Sequence, residues 1–303
     1  MDIIVKKLTT TTTDVVKYIE SVKRADELLS KLFDPTMLMI GKNTIIFLAS
    51  IDAEPVGMII AKPEQINQRK YLRMYTLRGD NAEVLGKLVD AMVEYYKASN
   101  IDGIFTSVLD DSNKQMITAI EHAGFKAESR LFARKPSELV TKLPKSNGLE
   151  SIRFDKRTRS EYQRAFSKLL VAFDSEMDKS RNDSIGHKVY KEILERDTQS
   201  RIRVAYFMVD VVKSSDWYAY LILKDDEPIG FIKGKVVDGM CAIDMYFPEK
   251  IFSKYHAKAL RIFVNQLEFA KYLTITEYVS NTSKLNMMSS LFGKSIGTEY
   301  FMK

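Results

Sequence analysis

Cysteine is almost missing from this chain of 303 residues: Cys241 is alone, which excludes an internal disulfide and a multi-cysteine metal site. Histidine is nearly as scarce. His122, His187 and His256 are scattered without ligand spacing, so no metal is expected. No apolar run approaches the roughly 20 residues needed to cross a bilayer. The opening Met1 to Lys7 lacks the apolar stretch of a signal peptide and reads as a first strand. A cytoplasmic protein with no membrane partner is the expectation.

What is present is ordinary globular material, 45 % hydrophobic and 28 % charged, with apolar mass for two cores of about 150 residues each. The charge is uneven. Residues 1–150 hold 21 Lys+Arg against 20 Asp+Glu, and the remainder 25 against 20, so nearly all of the +6 belongs to the second half. Such a surface serves cofactor phosphates, nucleic acid or an acidic partner, or is simply solvated. No aromatic-interleaved basic stripe supports nucleic acid.

The chain repeats itself. Glu54-Pro55-Val56-Gly57-Met58-Ile59 returns as Glu227-Pro228-Ile229-Gly230-Phe231-Ile232, a spacing of 173 (227 − 54). Asn113 with Gly124 returns as Asn286 with Gly297 at the same spacing. Met74-Tyr75 returns as Met245-Tyr246, and the helical run Val89, Met92, Val93, Tyr96 as Leu260, Phe263, Val264, Leu267, both at 171 (245 − 74).

In order, the first copy reads as a strand at Ile3 to Val5 and a helix capped by Asp14 that buries Val15, Val16, Ile19 and Val22. Leu28, Leu29 and Leu32 continue an apolar face. A hairpin of Thr44–Leu48 and Val56–Ile60 follows, linked by Asp52 to Pro55. Then come strand Tyr71–Leu77, helix Ala82–Ala98, strand Ile101–Val108, helix Asn113–Ala123 and strand Ser129–Ala133. This order predicts a mixed α/β domain around a central sheet. Domains are expected at 1–137 and 149–303, with a linker at 138–148 marked by Pro144 and Ser146-Asn147-Gly148. The second copy opens with Ser151 to Phe154 and a helix carrying Tyr162, Phe166, Leu169, Leu170 and Phe173. It then carries about two dozen extra residues within 174–214, either a decorated loop or a substrate-side element.

The element order, the hairpin ending in Glu-Pro-hydrophobic-Gly, and the late Asn with a Gly eleven positions on together resemble the GNAT N-acyltransferase superfamily. Asn113 to Phe125 is similar to that family's final helix and the Gly-Phe after it, and Asn286 to Gly297 more loosely so. The resemblance covers nearly the whole chain and implies two tandem GNAT-like acyl-CoA N-acyltransferase domains, each a mixed central sheet flanked by helices.

It also implies a site. The family binds the pyrophosphate of acyl-coenzyme A on a loop entering its central helix, with a Gln/Arg-x-x-Gly-x-Gly/Ala pattern, because backbone N–H groups there must approach phosphates closely. In the first copy the pattern falls on Asn81 to Gly86. Only Gly86 survives, and Asp80 and Glu83 put negative charge where phosphates would sit, so this copy is expected to be non-catalytic. In the second it falls on Phe252 to Ala257 amid Lys250, Lys254, His256 and Lys258. The implied cofactor is acetyl-CoA, held by Met245, Tyr246, Phe247, Ser253, Lys254, Tyr255, His256, Ala257, Lys258 and Asn286.

For catalysis the resemblance implies a base and an acid. Asp244 is the first candidate base and Glu277 the second. The family's tyrosine, seven residues after the Asn, is absent: Ile120 and Gly293 stand there. Tyr255 is then the candidate acid, with Tyr300 as a substitute. The function implied is acetyl transfer to a small-molecule or peptide amine. The competing reading is a degenerate GNAT scaffold that binds a partner without transferring anything.

Overall fold

The computed structural model describes residues 2–22, 43–66, 69–109, 114–182, 209–211, 213–267 and 269–302. Leu28, Leu29, Leu32, Asn113 and most of 183–214 lie outside them. The chain forms two compact units. The first comprises residues 1–130 and 296–303, the second 131–295.

In the first unit the strands are β1 (Ile4–Leu8), β2 (Ile45–Ile51), β3 (Glu54–Ile66), β4 (Arg69–Gly79), β5 (Gly103–Leu109) and β12 (Gly297–Met302). Neighbours run antiparallel except β4 and β5, which are parallel. Alternation on the strands feeds two cores. Phe47, Ile59, Leu72 and Ile104 pack against α2 (Ala82–Ala98) and α3 (Lys114–His122), while Ile46, Leu48, Met58 and Ile60 pack against α1 (Thr13–Val22). The cap of α1 is Thr12, whose Oγ1 accepts from the Val15 amide at 3.4 Å. Asp14, the expected cap, lies inside the first turn, and Val16 is exposed.

The C-terminal strand β12 belongs to this first unit rather than closing the second copy. Glu299 pairs with Arg73 at 3.0 Å, and Phe301 meets Phe105 with ring centroids 4.6 Å apart. Strand β6 (Lys126–Arg134) begins in the first unit and ends in the second.

The second unit repeats the pattern with β7 (Glu150–Arg153), β8 (Trp217–Lys224), β9 (Glu227–Val237), β10 (Met240–Tyr246) and β11 (Tyr272–Tyr278). Again three antiparallel pairings end in one parallel pairing, β10 with β11. One face, with Tyr220, Ile232, Ile243 and Met245, is covered by α6 (Glu249–Gln266) and α7 (Thr282–Phe292). The other, with Leu221, Phe231 and Tyr246, is covered by α5 (Arg159–Asn182). Pro136–Lys142, partly within the expected linker, is a helix of this unit, α4, and Arg261 donates to its Val140 carbonyl at 3.0 Å.

The repeated Glu-Pro-hydrophobic-Gly now has a physical cause. Each copy has a two-residue hairpin turn with both central residues at positive φ: Asp52 (49°) and Ala53 (68°), then Asp225 (52°) and Asp226 (63°). A register shift follows in each, between Ala49/Ser50 and between Ile222/Leu223. It leaves Val56 and Ile229 as bulge residues beside a proline that cannot donate to the ladder. The glycine then lets the next layer approach: a Cβ on Gly57 would lie 2.6 Å from Val84, and one on Gly230 would lie 2.4 Å from Phe247.

The copies superpose with a different register from the one read in the sequence. Gly57 faces Gly79 in the first unit, whereas Gly230 lies against Phe247 in the second. Helix α2 has Asn81 as N-cap and α6 has Pro248. Gly124 at φ 97° follows α3, and Gly293 at φ 90°, not Gly297, follows α7. Gly297 lies in β12. The strand correspondence slips by two residues (240 − 71 = 169 against 171), and the helix start and the late glycine slip by four (248 − 81 = 167 against 171, 293 − 124 = 169 against 173), one helical turn.

Candidate active site

Strands β10 and β11 pair only at Met240–Ala242 with Tyr272–Thr274, then part. From Ile243 onward the edge of β10 that faces β11 has no strand beside it among the described residues.

Glu277, near the end of β11, is half-buried on the α6/α7 face. Burial pushes its carboxyl up to about 7, Glu176 adds to the rise, and Lys284 with the Tyr278 amide opposes it. The amide bond is long, 3.3 Å from Tyr278 N to Oε1. Lys284 in the first turn of α7 lies 4.8 Å from the centre of the Phe252 ring. Its ammonium forms an ion pair with Glu176 of α5. Because α5 and α7 cover opposite faces, this pair joins helices from the two sides of the sheet.

Asp244 is placed differently. It faces Lys233 across the β9–β10 ladder and forms an ion pair with it, and its side chain is 48 % exposed. It lies on the α5 face, two residues before Tyr246. The Lys233 ammonium is 5.8 Å from the Trp217 ring and 5.9 Å from the Phe173 ring. The structure therefore brings Glu277, not Asp244, beside the α7 cation in the gap.

The remaining sequence-predicted residues divide. Tyr246 is in the aromatic layer against Phe173 and Phe231, while Met245 and Phe247 are buried in the core beneath α6. Ser253 and Lys254 are exposed on α6, and Ala257 and Lys258 are half-buried. Tyr255 and His256 are buried in the core. His256 Nδ1 lies 2.8 Å from the Phe252 carbonyl, which makes it the donor, and its ring stacks on Phe252. Burial lowers the imidazole pKa, with the Phe252 and Ser253 backbone opposing. Asn286 is exposed on α7. Tyr300 is in the core of the first unit.

Residues 252–257 are therefore inside α6, one turn past its start. The helix begins at Glu249, with the Ile251 and Phe252 amides bonded to the Pro248 carbonyl at 2.9 and 3.0 Å. No side chain among the described residues caps it, so the Glu249 and Lys250 amides open the helix. The first unit differs at both points. Asn81 Oδ1 accepts from the Val84 amide at 3.0 Å, closing the start of α2. At the β5 position matching Glu277, counted from the paired Tyr71/Gly103 and Met240/Tyr272, stands the buried Val108.

No protein-family model matches the sequence, and no curated protein sequence matches it. Solved structures do. A GCN5-related glucosamine N-acetyltransferase region of a fungal multi-domain GH3 β-N-acetylglucosaminidase aligns with 99 % of this chain at 11 % identity and a TM-score of 0.50; the match spans 38 % of that protein. The chain has the GNAT fold, written twice. A GNAT-family acetyltransferase from Colwellia psychrerythraea (11 % identity, TM-score 0.49, 98 % of each chain) and a tandem GNAT protein from the clavulanic acid biosynthesis pathway (9 % identity, TM-score 0.48, 99 % of this chain and 98 % of that one) also align. Among the described residues no helix is long and apolar enough to cross a membrane, and no cluster of metal-ligating side chains occurs.

Proposed function

We propose that the second unit is an acyl-CoA-dependent N-acyltransferase of the cytoplasm, transferring acetyl to an amine, with the first unit as its non-catalytic partner. The observation that carries this reading is Glu277, a half-buried carboxyl pushed up to about 7 at the mouth of the β10/β11 gap. A base is most effective when its pKa lies near the working pH.

The residues present fit an acyl thioester of coenzyme A. The unpaired edge of β10 from Ile243 to Tyr246 offers backbone groups to its amide-bearing arm. The uncapped start of α6, with Lys250 and Lys254 exposed on that helix, suits its phosphates. When bound, that cofactor supplies an electrophilic carbonyl whose C–S bond breaks as the C–N bond forms. Glu277 removes the proton the amine nitrogen sheds as it attacks, and Lys284 steadies the negative carboxylate. An amino sugar, by analogy with the fungal region's name, belongs in the acceptor screen with peptide amines.

A second reading, a scaffold that binds without transfer, is favoured by one observation: the Glu176–Lys284 pair engages the cation that would otherwise serve Glu277. Single-turnover assays with acetyl-CoA and an amine panel separate the two. Transfer that Glu277→Gln lowers by about 100-fold or more supports the enzyme. Full transfer by that variant removes Glu277 from the chemistry, and binding without transfer by the wild type leaves the scaffold.

A further inference from the structure

The Lys284 ammonium has two carboxylates within electrostatic reach and is ion-paired with one of them. Glu176 comes from α5, which covers the other face of the sheet, to form that pair; the side chains are 27 % and 16 % exposed, Glu176 and Lys284 respectively. Glu277 sits on the strand against which α7 packs, yet among the described residues its carboxyl accepts only the long Tyr278 amide bond. An ammonium has three donors but one location.

We infer that Glu176 is a positioning residue that competes with Glu277 for Lys284, and that this competition keeps Glu277 from being a permanently charged, salt-bridged carboxylate. The inference rests on the acyltransferase reading only for its consequence, and the competition itself is a property of the three side chains. The groups facing Glu277 are few. From α7 there is Lys284, and from α5 Glu176. Tyr246 of β10 lies on the α5 face, and its phenol is raised chiefly by burial and further by Glu176. On α6 the Phe252 ring lies against Lys284, and His256, stacked on it, is biased by burial to the neutral form. The Asp244–Lys233 pair is on the opposite face and is self-neutralised.

The consequence is a link between α5 and the base. Helix α5 leads into the extra residues of the second copy, so anything that draws Glu176 away frees Lys284 to pair with Glu277. The base then becomes more acidic and a weaker proton acceptor.

The test is a double-mutant cycle read by carboxyl NMR titration of Glu277 in the full chain, assigned with Glu277→Gln. Glu176→Gln should lower the Glu277 midpoint by about one pH unit, as expected when an opposite charge gains a carboxylate. Lys284→Met should raise it. In the double variant most of the Glu176→Gln effect should vanish, because the competed cation is gone. Persistence of the full shift in the Lys284→Met background would mean simple like-charge repulsion and overturn competition, as would no shift in Glu176→Gln alone. Because the readout is a titration, a correct cycle in a protein that fails to transfer acyl groups defeats only the enzymatic reading.

Discussion

Glu277 shows how one carboxyl links chemistry and stability. Its folded value of about 7 lies above the ordinary 4.5, so the folded protein keeps a proton that the unfolded chain releases. Its stabilising contribution is present below about 4.5 and declines as pH rises to about 7. That decline is on the order of 3 kcal/mol. Urea unfolding of wild type and Glu277→Gln between pH 4 and 8 should give curves that differ by this slope. The wild type alone should lose stability across that window, and parallel curves would show that the carboxyl is not perturbed. The same value places the acidic limb of a kcat/KM profile near pH 7, an outcome that Asp244→Asn should leave in place. Cys241 gives an independent residue-scale check. It is fully buried, and burial pushes its thiol up to about 12. Thiol reagents at pH 8 should label it only as fast as the second unit unfolds.

At the scale of elements, the hairpins are the most exposed to test. Ala53 holds φ 68° without a glycine's freedom, where a left-handed residue costs roughly 1–2 kcal/mol. Ala53→Gly should therefore raise the stability of the first unit by about 1 kcal/mol, measured by thermal or urea unfolding. Gly230→Ala should do the reverse in the second unit. Its Cβ would lie 2.5 Å from the Tyr246 carbonyl as well as against the Phe247 ring, and a loss of several kcal/mol or failure to fold is expected.

The elements also show where sequence reading reached and where it stopped. Helix Ala82–Ala98 was legible to the residue, since Asn81 caps it and its apolar face repeats. The hairpins were legible because their turn, bulge and close approach impose Glu-Pro-x-Gly twice. The register of the second copy after the hairpin was not legible. A helix shifted by one turn keeps its apolar face, so Leu260 and Phe263 align with either neighbouring turn of the first copy. That slip put the phosphate pattern on Phe252–Ala257, inside α6. Asp244 and Glu277 are both strand acids, and the sequence ranked Asp244 first because it lies on the strand expected to border the acyl group. Only the packed structure shows that Asp244 meets Lys233 across the ladder while Glu277 faces the gap. The Glu176–Lys284 pair had no sequence signal, because it joins helices that cover opposite faces.

At the scale of the whole molecule, the two copies differ at the start of the central helix and at the Glu277 position. The first unit closes its central helix with Asn81 and has Val108 at the position of Glu277. In the second, no side chain among the described residues caps α6, and Glu277 and Lys284 are present. On the proposed reading one copy supports and the other holds the site, while the C-terminal strand β12 is held in the first unit by Glu299 and Arg73. Calorimetric titration of the full chain with acetyl-CoA tests this division most directly, with Lys250→Glu and Asn81→Ala run beside the wild type. The expected result is one mole of ligand per mole of protein, weakened by Lys250→Glu and unchanged by Asn81→Ala. At a hundredfold excess over its dissociation constant the ligand should stabilise the protein by about 2.7 kcal/mol. Absence of binding at millimolar ligand, or binding lost through Asn81 and indifferent to Lys250, would contradict the account.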